Sequence, residues 1–190
     1  MKFIITRAID IEDEKLKIVK LKIKHIIDLN KSNDPFLIYG KIIPIFDGSD
    51  WIIREQISKS SYEKQYAVDD INASEYIENE NKAVFLSYLE KKCVGQIRVR
   101  KNWNGYCLIE DISVSQDHRR QGIGRALIQK AIEWAKEKKL GGLMLETQDN
   151  NLSACRFYFN VGFKIGAVDT MLYANTEHSN EKAVFMYYRF

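Results

Sequence analysis

The strongest constraint on the fold is the order of periods in residues 82–190. AVFLSYLE and VGQIRVRK read as strands separated by the short turn KKC, NWNG is a second turn, and YCLIEDISVS is a third strand. HRRQGIG then leads into a helix whose apolar positions Ile123, Leu127, Ile128, Ala131, Ile132 and Ala135 share one face. Leu140-Gly141-Gly142 ends it, and GLMLETQ follows as a continuous apolar strand suited to the sheet centre. NLSACRFYFNV is a short helix ended by Gly162, and FKIGAVDTMLYAN and KAVFMYYRF are the last two strands. A hairpin meander, a helix, a strand, a helix and two strands make an α+β fold, a mixed central sheet flanked by helices.

The first part of the chain is less patterned. KLKIVKLKIKHI alternates apolar and basic residues over its first part, which favours a half-buried strand over the competing basic amphipathic helix. KIIPIF and WIIREQI flank FDGSDW, whose Asp-Gly pair reads as a hairpin turn, and Pro44 places the first strand at an edge. Residues 62–81 are polar and acidic with spaced aromatics, a helical or irregular segment over one end of the sheet. With 190 residues, no repeat and no linker, one domain is expected over 1–190.

Composition narrows the partners. A net charge of +3 without a basic block gives no footprint for nucleic acid. No apolar run is long enough to span a bilayer, and MKFIITRAIDIEDEK turns acidic without a small-residue cleavage site, so a cytoplasmic protein with no membrane partner is expected. Cys93, Cys107 and Cys155 are odd in number and widely spaced, as reduced thiols would be. His25, His118 and His178 are isolated, so no metal site is expected.

The glycine turn lacks both a Walker A lysine and a GxGxxG pattern. It does present Arg119-x-x-Gly122-x-Gly124 between a strand and a helix. Backbone N–H groups from Gln121 to Arg125, through Gly122, Ile123 and Gly124, lack intrahelical partners at the positive end of the helix dipole. Arg119, Arg120 and Arg125 add charge that could reach a phosphate. The plainer reading is a glycine turn with solvated arginines.

The flanks decide between them. ISVSQDHRRQGIG resembles motif A of the GNAT N-acetyltransferase superfamily, and NLSACRFYFNVGF places Asn151, Ala154, Tyr158, Gly162 and Phe163 as motif B of that family has its Asn, Ala, Tyr and Gly-Phe. The resemblance implies a GNAT fold in one domain: residues 82–190 form the acetyl-CoA-binding core, and residues 1–81 are a variable part contributing to the acceptor site. It implies acetyl-CoA as co-substrate, its pyrophosphate on the glycine loop. Ile112, Ser113 and Val114 would bond the pantetheine arm through their backbone, with the Val114 N–H as oxyanion donor. Tyr158 would protonate the departing thiolate, unless it is only a buried tyrosine. Asn151 would bond the pantetheine or cap the second helix.

Amine acetylation also needs a base. Glu110 shares a strand face with Ile112 and Val114 if that strand is regular, which puts Asp111 on the other face; a bulge would spoil that count. Glu146 on the next strand is a second candidate. Carboxylates at a sheet centre need cationic partners, either substrate or a structural arginine such as Arg98 or Arg100.

GQIRVRKNWNGYCLIEDISV and WAKEKKLGGLMLETQDNNLSACRFYFNVGFKIGAVDTMLY are similar to the streptothricin acetyltransferase branch. That likeness implies acetylation of a β-lysine amine of streptothricin, conferring resistance, by a monomer or homodimer. Asp111 and Glu146 would face the polycation, and Trp103 and Tyr106 would wall its pocket or simply pack the hairpin. The alternatives are a polyamine or protein-amine acetyltransferase, for which Asp69, Asp70, Glu75, Glu78 and Glu80 would suit a cation, and a non-catalytic acetyl-CoA-binding module.

Overall fold

Alternating apolar residues build a seven-stranded sheet and a separate hairpin. A computed structural model describes residues 16–68 and 70–190; the reading of residues 1–15 as leader-free and the acidic Asp69 lie outside the described residues. The strands are β1 Lys17–Lys20, β2 Phe36–Phe46, β3 Trp51–Lys64, β4 Lys82–Leu89, β5 Lys92–Lys101, β6 Cys107–Val114, β7 Gly142–Gln148, β8 Lys164–Asp169 and β9 Ala183–Arg189. Helices α1, Ile123–Glu137, and α2, Leu152–Asn160, flank β7 in sequence. The large sheet runs β1-β4-β5-β6-β7-β9-β8, while β2 and β3 form a two-stranded sheet of their own among the described residues. The mixed α+β architecture is therefore as expected, with β7 inside the sheet.

The differences lie at segment ends. KLKIVKLKIKHI yields only the four residues of β1 before a 3-10 turn at Ile23–Asp28. The β8 strand stops at Asp169, whose Oδ1 accepts from the N–H groups of Met171 and Leu172, so the LYAN part is a turn. Helix α1 ends at Glu137, before Leu140-Gly141-Gly142, and Lys139 (φ 57°) makes the left-handed exit. Gly142 serves strand contact instead: a Cβ there would lie 2.1 Å from the Tyr188 carbonyl.

Leu127, Ile128, Ala131 and Ala135 of α1 pack with Ile97, Val99, Leu143, Leu145 and Met186 in the main core. Burying each leucine, isoleucine, valine or methionine of this set stabilises by about 1.5–3 kcal/mol. On the opposite face of β4 and β5, Leu21, Tyr76, Val84, Leu86 and Cys93 form a smaller cluster. The three cysteines are buried and unpaired, and burial pushes the Cys107 and Cys155 thiols up to about 12. No helix among the described residues is long and apolar enough to cross a membrane.

Candidate active site

The site begins where the sheet comes apart. Parallel strands β6 and β7 pair only at Cys107↔Leu143 and Leu108↔Met144, and beyond those positions they diverge. The Ser115 N–H donates to the Val94 carbonyl across on β5. Successive residues of an extended strand aim their backbone groups to opposite sides, so Val114 and Ile112 present theirs to the cleft. Ser113 presents its backbone to β5, and its hydroxyl lies 2.8 Å from that of Ser32. The expectation that Ser113 offers its backbone to a ligand in the cleft is therefore withdrawn.

The glycine turn lies at the open end of this cleft. The first hydrogen bond of α1 runs from the Ala126 N–H to the Gly122 carbonyl, and no backbone carbonyl among the described residues accepts from Gln121 to Arg125. Gly122 is the N-cap at φ 85°, with nothing within 4 Å of where a Cβ would stand. This open, donor-lined turn fits a phosphate group. Gly124 has a different constraint: its Cβ would lie 3.2 Å from Phe157 Cζ, so it lets α2 approach α1.

The three arginines divide their work. Arg119 Nε donates to the Val114 carbonyl, and its terminal nitrogens donate to the carbonyls of Pro35 and Asp34. Its guanidinium ties the loop to the segment before β2 and is not displayed to a phosphate, which corrects the reading of its charge. Arg125 reaches the Asn160 carbonyl at the end of α2, 3.3 Å away. Arg120 sits in the turn itself at φ 68°.

A bulge reshapes the carboxylates. Arg98 faces Asp111 and Val99 faces Ile109, leaving Glu110 as the extra residue of β6. Glu110 consequently does not share the face of Ile112 and Val114, which turn towards α1 with Ile97. Its Oε1 accepts from Arg100 Nε at 3.0 Å, and its Oε2 accepts from the Tyr76 hydroxyl at 2.7 Å and lies 3.5 Å from Arg98 Nε. Glu110 is thus a structural hub that pins the segment before β4 onto the sheet. Asp111, on the same side, accepts from Gln96 Nε2 at 2.7 Å.

Glu146 across the cleft is different. Its Oε1 accepts a hydrogen bond from the Tyr173 hydroxyl. Gln148 donates to the same hydroxyl at 3.2 Å and accepts from Tyr66. Burial holds the Glu146 carboxyl above the usual carboxylate range; the Tyr173 hydrogen bond opposes this, nearby Glu181 adds to it and Lys64 counters it. Lys64 and Glu181 form their own bridge at 2.6 Å, with both side chains 10% exposed. No periodic pattern marks Lys64, Tyr66, Tyr173 or Glu181, which lie at a strand end or in irregular connections; the strand expected through Tyr173 ends at Asp169.

Tyr158 on α2 is 7% exposed, and no side chain among the described residues hydrogen-bonds its hydroxyl. Burial is the main cause that raises its pKa, and the proximity of Tyr66, Asp111, Cys155 and Glu146 raises it further, so the phenol stays protonated throughout the physiological range. Its surroundings thus include groups from both sides of the cleft. Asn151 caps α2: its Oδ1 accepts from the Ala154 N–H at 3.1 Å, and its Nδ2 is 3.4 Å from the Tyr66 hydroxyl. The capping reading accounts for Asn151 and for the Ala154 N–H, which is thereby already bonded.

The aromatic pair proposed as a pocket wall is not brought there. Trp103 is 92% exposed at the tip of the β5–β6 turn, and Tyr106 packs edge-on against Tyr187, centroids 5.2 Å apart. Both sit towards the closed end of the cleft, because β6 begins there. Hairpin packing is the role the structure gives Tyr106, and Trp103 walls nothing among the described residues.

Known proteins resemble this chain in sequence and in fold. Residues 50–163 match the acetyltransferase (GNAT) family. Streptothricin acetyltransferase A of Bacillus subtilis (strain 168) is 53% identical over 91% of this chain and 99% of that protein. A streptothricin acetyltransferase of Escherichia coli is 36% identical over 69% of this chain and 72% of its own length. In three dimensions, a Bacillus anthracis protein assigned as a streptothricin acetyltransferase, solved in complex with acetyl coenzyme A, superposes with a TM-score of 0.85 at 34% identity, covering 93% of this chain and all (100%) of that one. A nourseothricin acetyltransferase superposes at 0.77 with 25% identity over 92% of this chain and 98% of its own. The strand–glycine turn–helix unit, the diverging strands and these similarities together establish that the chain belongs to the acetyltransferase (GNAT) family.

Proposed function

We propose that this protein acetylates a β-lysine amine of streptothricin with acetyl-CoA and so protects the cell that makes it. The observation that carries the reading is the cleft that opens where β6 and β7 pair at only two positions, with Asp111 and Glu146 near enough to Tyr158 to add to the upward pKa shift that burial causes. The likeness to streptothricin acetyltransferase A over nearly the whole chain supports the choice of acceptor.

Acetyl-CoA supplies the activated acyl group. The N–H groups from Gln121 to Arg125 and the Arg120 side chain hold its pyrophosphate. The Ile112 and Val114 backbones align its pantetheine arm along the open edge of β6. The Val114 N–H points where negative charge develops on the carbonyl oxygen. Glu146, with its raised pKa, takes a proton from the substrate ammonium directly or through water, since only the neutral amine attacks. The Tyr158 hydroxyl gives its proton to the departing sulfur. Asp111 and Glu146 attract the polycation from opposite sides of the cleft. Residues before Lys82 complete the acceptor side through Lys64, Tyr66 and Tyr76, and the core after it binds the co-substrate. The same reading places the protein in the cytoplasm, where buried thiols stay reduced.

The test is release of free CoA by the purified protein with streptothricin, spermidine, an aminoglycoside or a lysine peptide. Streptothricin is expected to be turned over at least tenfold more efficiently, in kcat/KM, than the others. A sensitive bacterium expressing the chain is expected to grow on the drug. Normal sensitivity with soluble, acetyl-CoA-binding protein would move the assignment to a polyamine or protein amine.

The loop has its own test. Gly122→Asn and Gly122→Asp both place a residue tolerant of positive φ in open space, and only Asp adds charge. Calorimetry is expected to show acetyl-CoA affinity falling about tenfold further for Asp than for Asn, the equivalent of about 1.4 kcal/mol. Equal affinities would place the pyrophosphate elsewhere.

A further inference from the structure

Glu146 ends a hydrogen-bond chain that begins at a helix cap. Asn151 Nδ2 donates to the Tyr66 hydroxyl, Tyr66 donates to Gln148 Oε1, Gln148 Nε2 donates to the Tyr173 hydroxyl, and Tyr173 donates to Glu146 Oε1. Glu146 and Gln148 are alternate residues of β7 and share a face, so one tyrosine from the connection between β8 and β9 touches both. Tyr66 enters from the connection after β3.

The direction of this chain is fixed at both ends. Asn151 commits its Oδ1 to the Ala154 N–H as the cap of α2, which leaves only its donor nitrogen for Tyr66. An ionised Glu146 can only accept. Each phenol between them has one hydrogen, and the Gln148 amide carries its donor and acceptor on different atoms. With a donor at one end and an acceptor at the other, a single arrangement satisfies every link. Turning the Gln148 amide over would draw the Tyr173 hydrogen away from Glu146.

A donor held on Oε1 has a chemical consequence. Burial raises the Glu146 carboxyl above the usual carboxylate range, and the Tyr173 hydrogen bond opposes that rise, because a carboxylate accepts more strongly than a carboxyl. Oε2 has no hydrogen-bond partner among the described residues, so it is the oxygen left to take a proton. The other titratable groups nearby are Tyr158 on α2, Lys64 at the end of β3 and Glu181 ahead of β9, with His178 3.6 Å from Glu181. Lys64 is already paired with Glu181, and the Tyr173 hydroxyl makes the one direct bond that Glu146 receives from a side chain among the described residues.

From the fixed direction of the chain and its end point, we infer that Tyr173 is the positioning residue for Glu146, and that the α2 cap, through Tyr66 and Gln148, turns the Tyr173 hydrogen onto the carboxylate. The inference rests on the reading of Glu146 as the base.

The test joins the pH dependence of kcat/KM for streptothricin to an NMR titration of the Glu146 carboxyl carbon in the full chain, with Glu146→Gln identifying the resonance by its loss. Tyr173→Phe keeps the ring and removes one hydroxyl. Its acid limb and its carboxyl titration are both expected to move to higher pH. At pH 7, kcat/KM is expected to fall about tenfold or more, the size of one hydrogen bond to a charged group, and the loss to shrink above the limb. Tyr66→Phe is expected to move the titration the same way by less. Combined with Tyr173→Phe it is expected to add nothing, because a broken last link transmits nothing. Calorimetry with acetyl-CoA is expected to give unchanged affinity for Tyr173→Phe, which shows that it folds. A Tyr173→Phe titration that stays at the wild-type position, even with a slower rate, would overturn the inference, since packing or substrate contact alone leaves the carboxyl unmoved. An unmoved titration in Tyr66→Phe, or an additive double variant, would overturn the chain. A titration that moves while the rate profile does not would support the chain and remove Glu146 from the chemistry, so the two failures are distinguishable.

Discussion

Tyr158→Phe is expected to lower kcat by about 10²-fold or more while leaving acetyl-CoA affinity nearly unchanged. The substitution removes one oxygen from a ring packed within 6 Å of Phe157 and Phe163, centroid to centroid. No side chain among the described residues loses a hydrogen bond, so the fold has little reason to respond. A structural role predicts unchanged rate and unchanged affinity; the proton-donor role predicts a loss in rate alone. Because burial holds the phenol protonated, its ionisation is not expected to produce an alkaline limb in the rate profile below the ordinary tyrosine range. Full activity in the Phe variant would remove Tyr158 from the chemistry.

The two glutamates of the cleft are expected to respond in opposite ways. Glu146→Gln keeps an acceptor for the Tyr173 hydroxyl but cannot take a proton, and kcat/KM for the amine is expected to fall by about 10²–10³-fold. The variant is also expected to melt at least as high as wild type at pH 7. The sign follows from linkage: the folded carboxyl has a raised pKa, so the folded state binds the proton more tightly than the unfolded chain. The associated stability is fully present below the unfolded value of 4.5 and is lost as pH rises through the folded pKa. Wild type therefore carries the cost of a buried charge at neutral pH, and activity in the acid range is expected to fall as Glu146 takes up its proton. Glu110→Gln has the reverse profile. It weakens the hold on Arg98, Arg100 and Tyr76 and is expected to destabilise by on the order of 1–3 kcal/mol. A thermal melt and a pH–rate profile for each variant separate the two roles. A Glu110 variant with intact stability and an abolished acid limb would exchange them.

What the sequence revealed and what it concealed divide along a physical line. The α1 face and the buried run of β7 were legible because burial imposes a period on neighbouring residues. The glycine turn was legible because unpaired N–H groups and positive φ demand particular residues at fixed spacing. The face on which Glu110 lies was not legible, because one extra residue in β6 reverses the alternation and nothing local in CLIEDISV marks the bulge. The role of Arg119 is hidden in the sequence for a related reason: guanidinium groups bind phosphate oxygens and backbone carbonyls alike, and only the fold decides which is nearby. Lys64, Tyr66, Tyr173 and Glu181 meet through segments without period, drawn from positions more than a hundred residues apart in the chain. Trp103 shows the converse case, an aromatic whose chemistry suits a pocket on a turn that faces away from one.

The divergence of β6 and β7 has a consequence for the lifetime of the protein. Two residue pairs join the halves of the sheet, and the remaining inner edges rely on whatever fills the wedge. A co-substrate lying there acts as a removable tie between the halves. By mass action, saturation at about a hundredfold over its dissociation constant adds about 2.7 kcal/mol of resistance to global unfolding. Proteolysis that tracks the open population would slow by the same factor, about a hundredfold. The cell's supply of acetyl-CoA would then set how long each molecule survives as well as how fast it works, and a starved cell would shed this protein sooner.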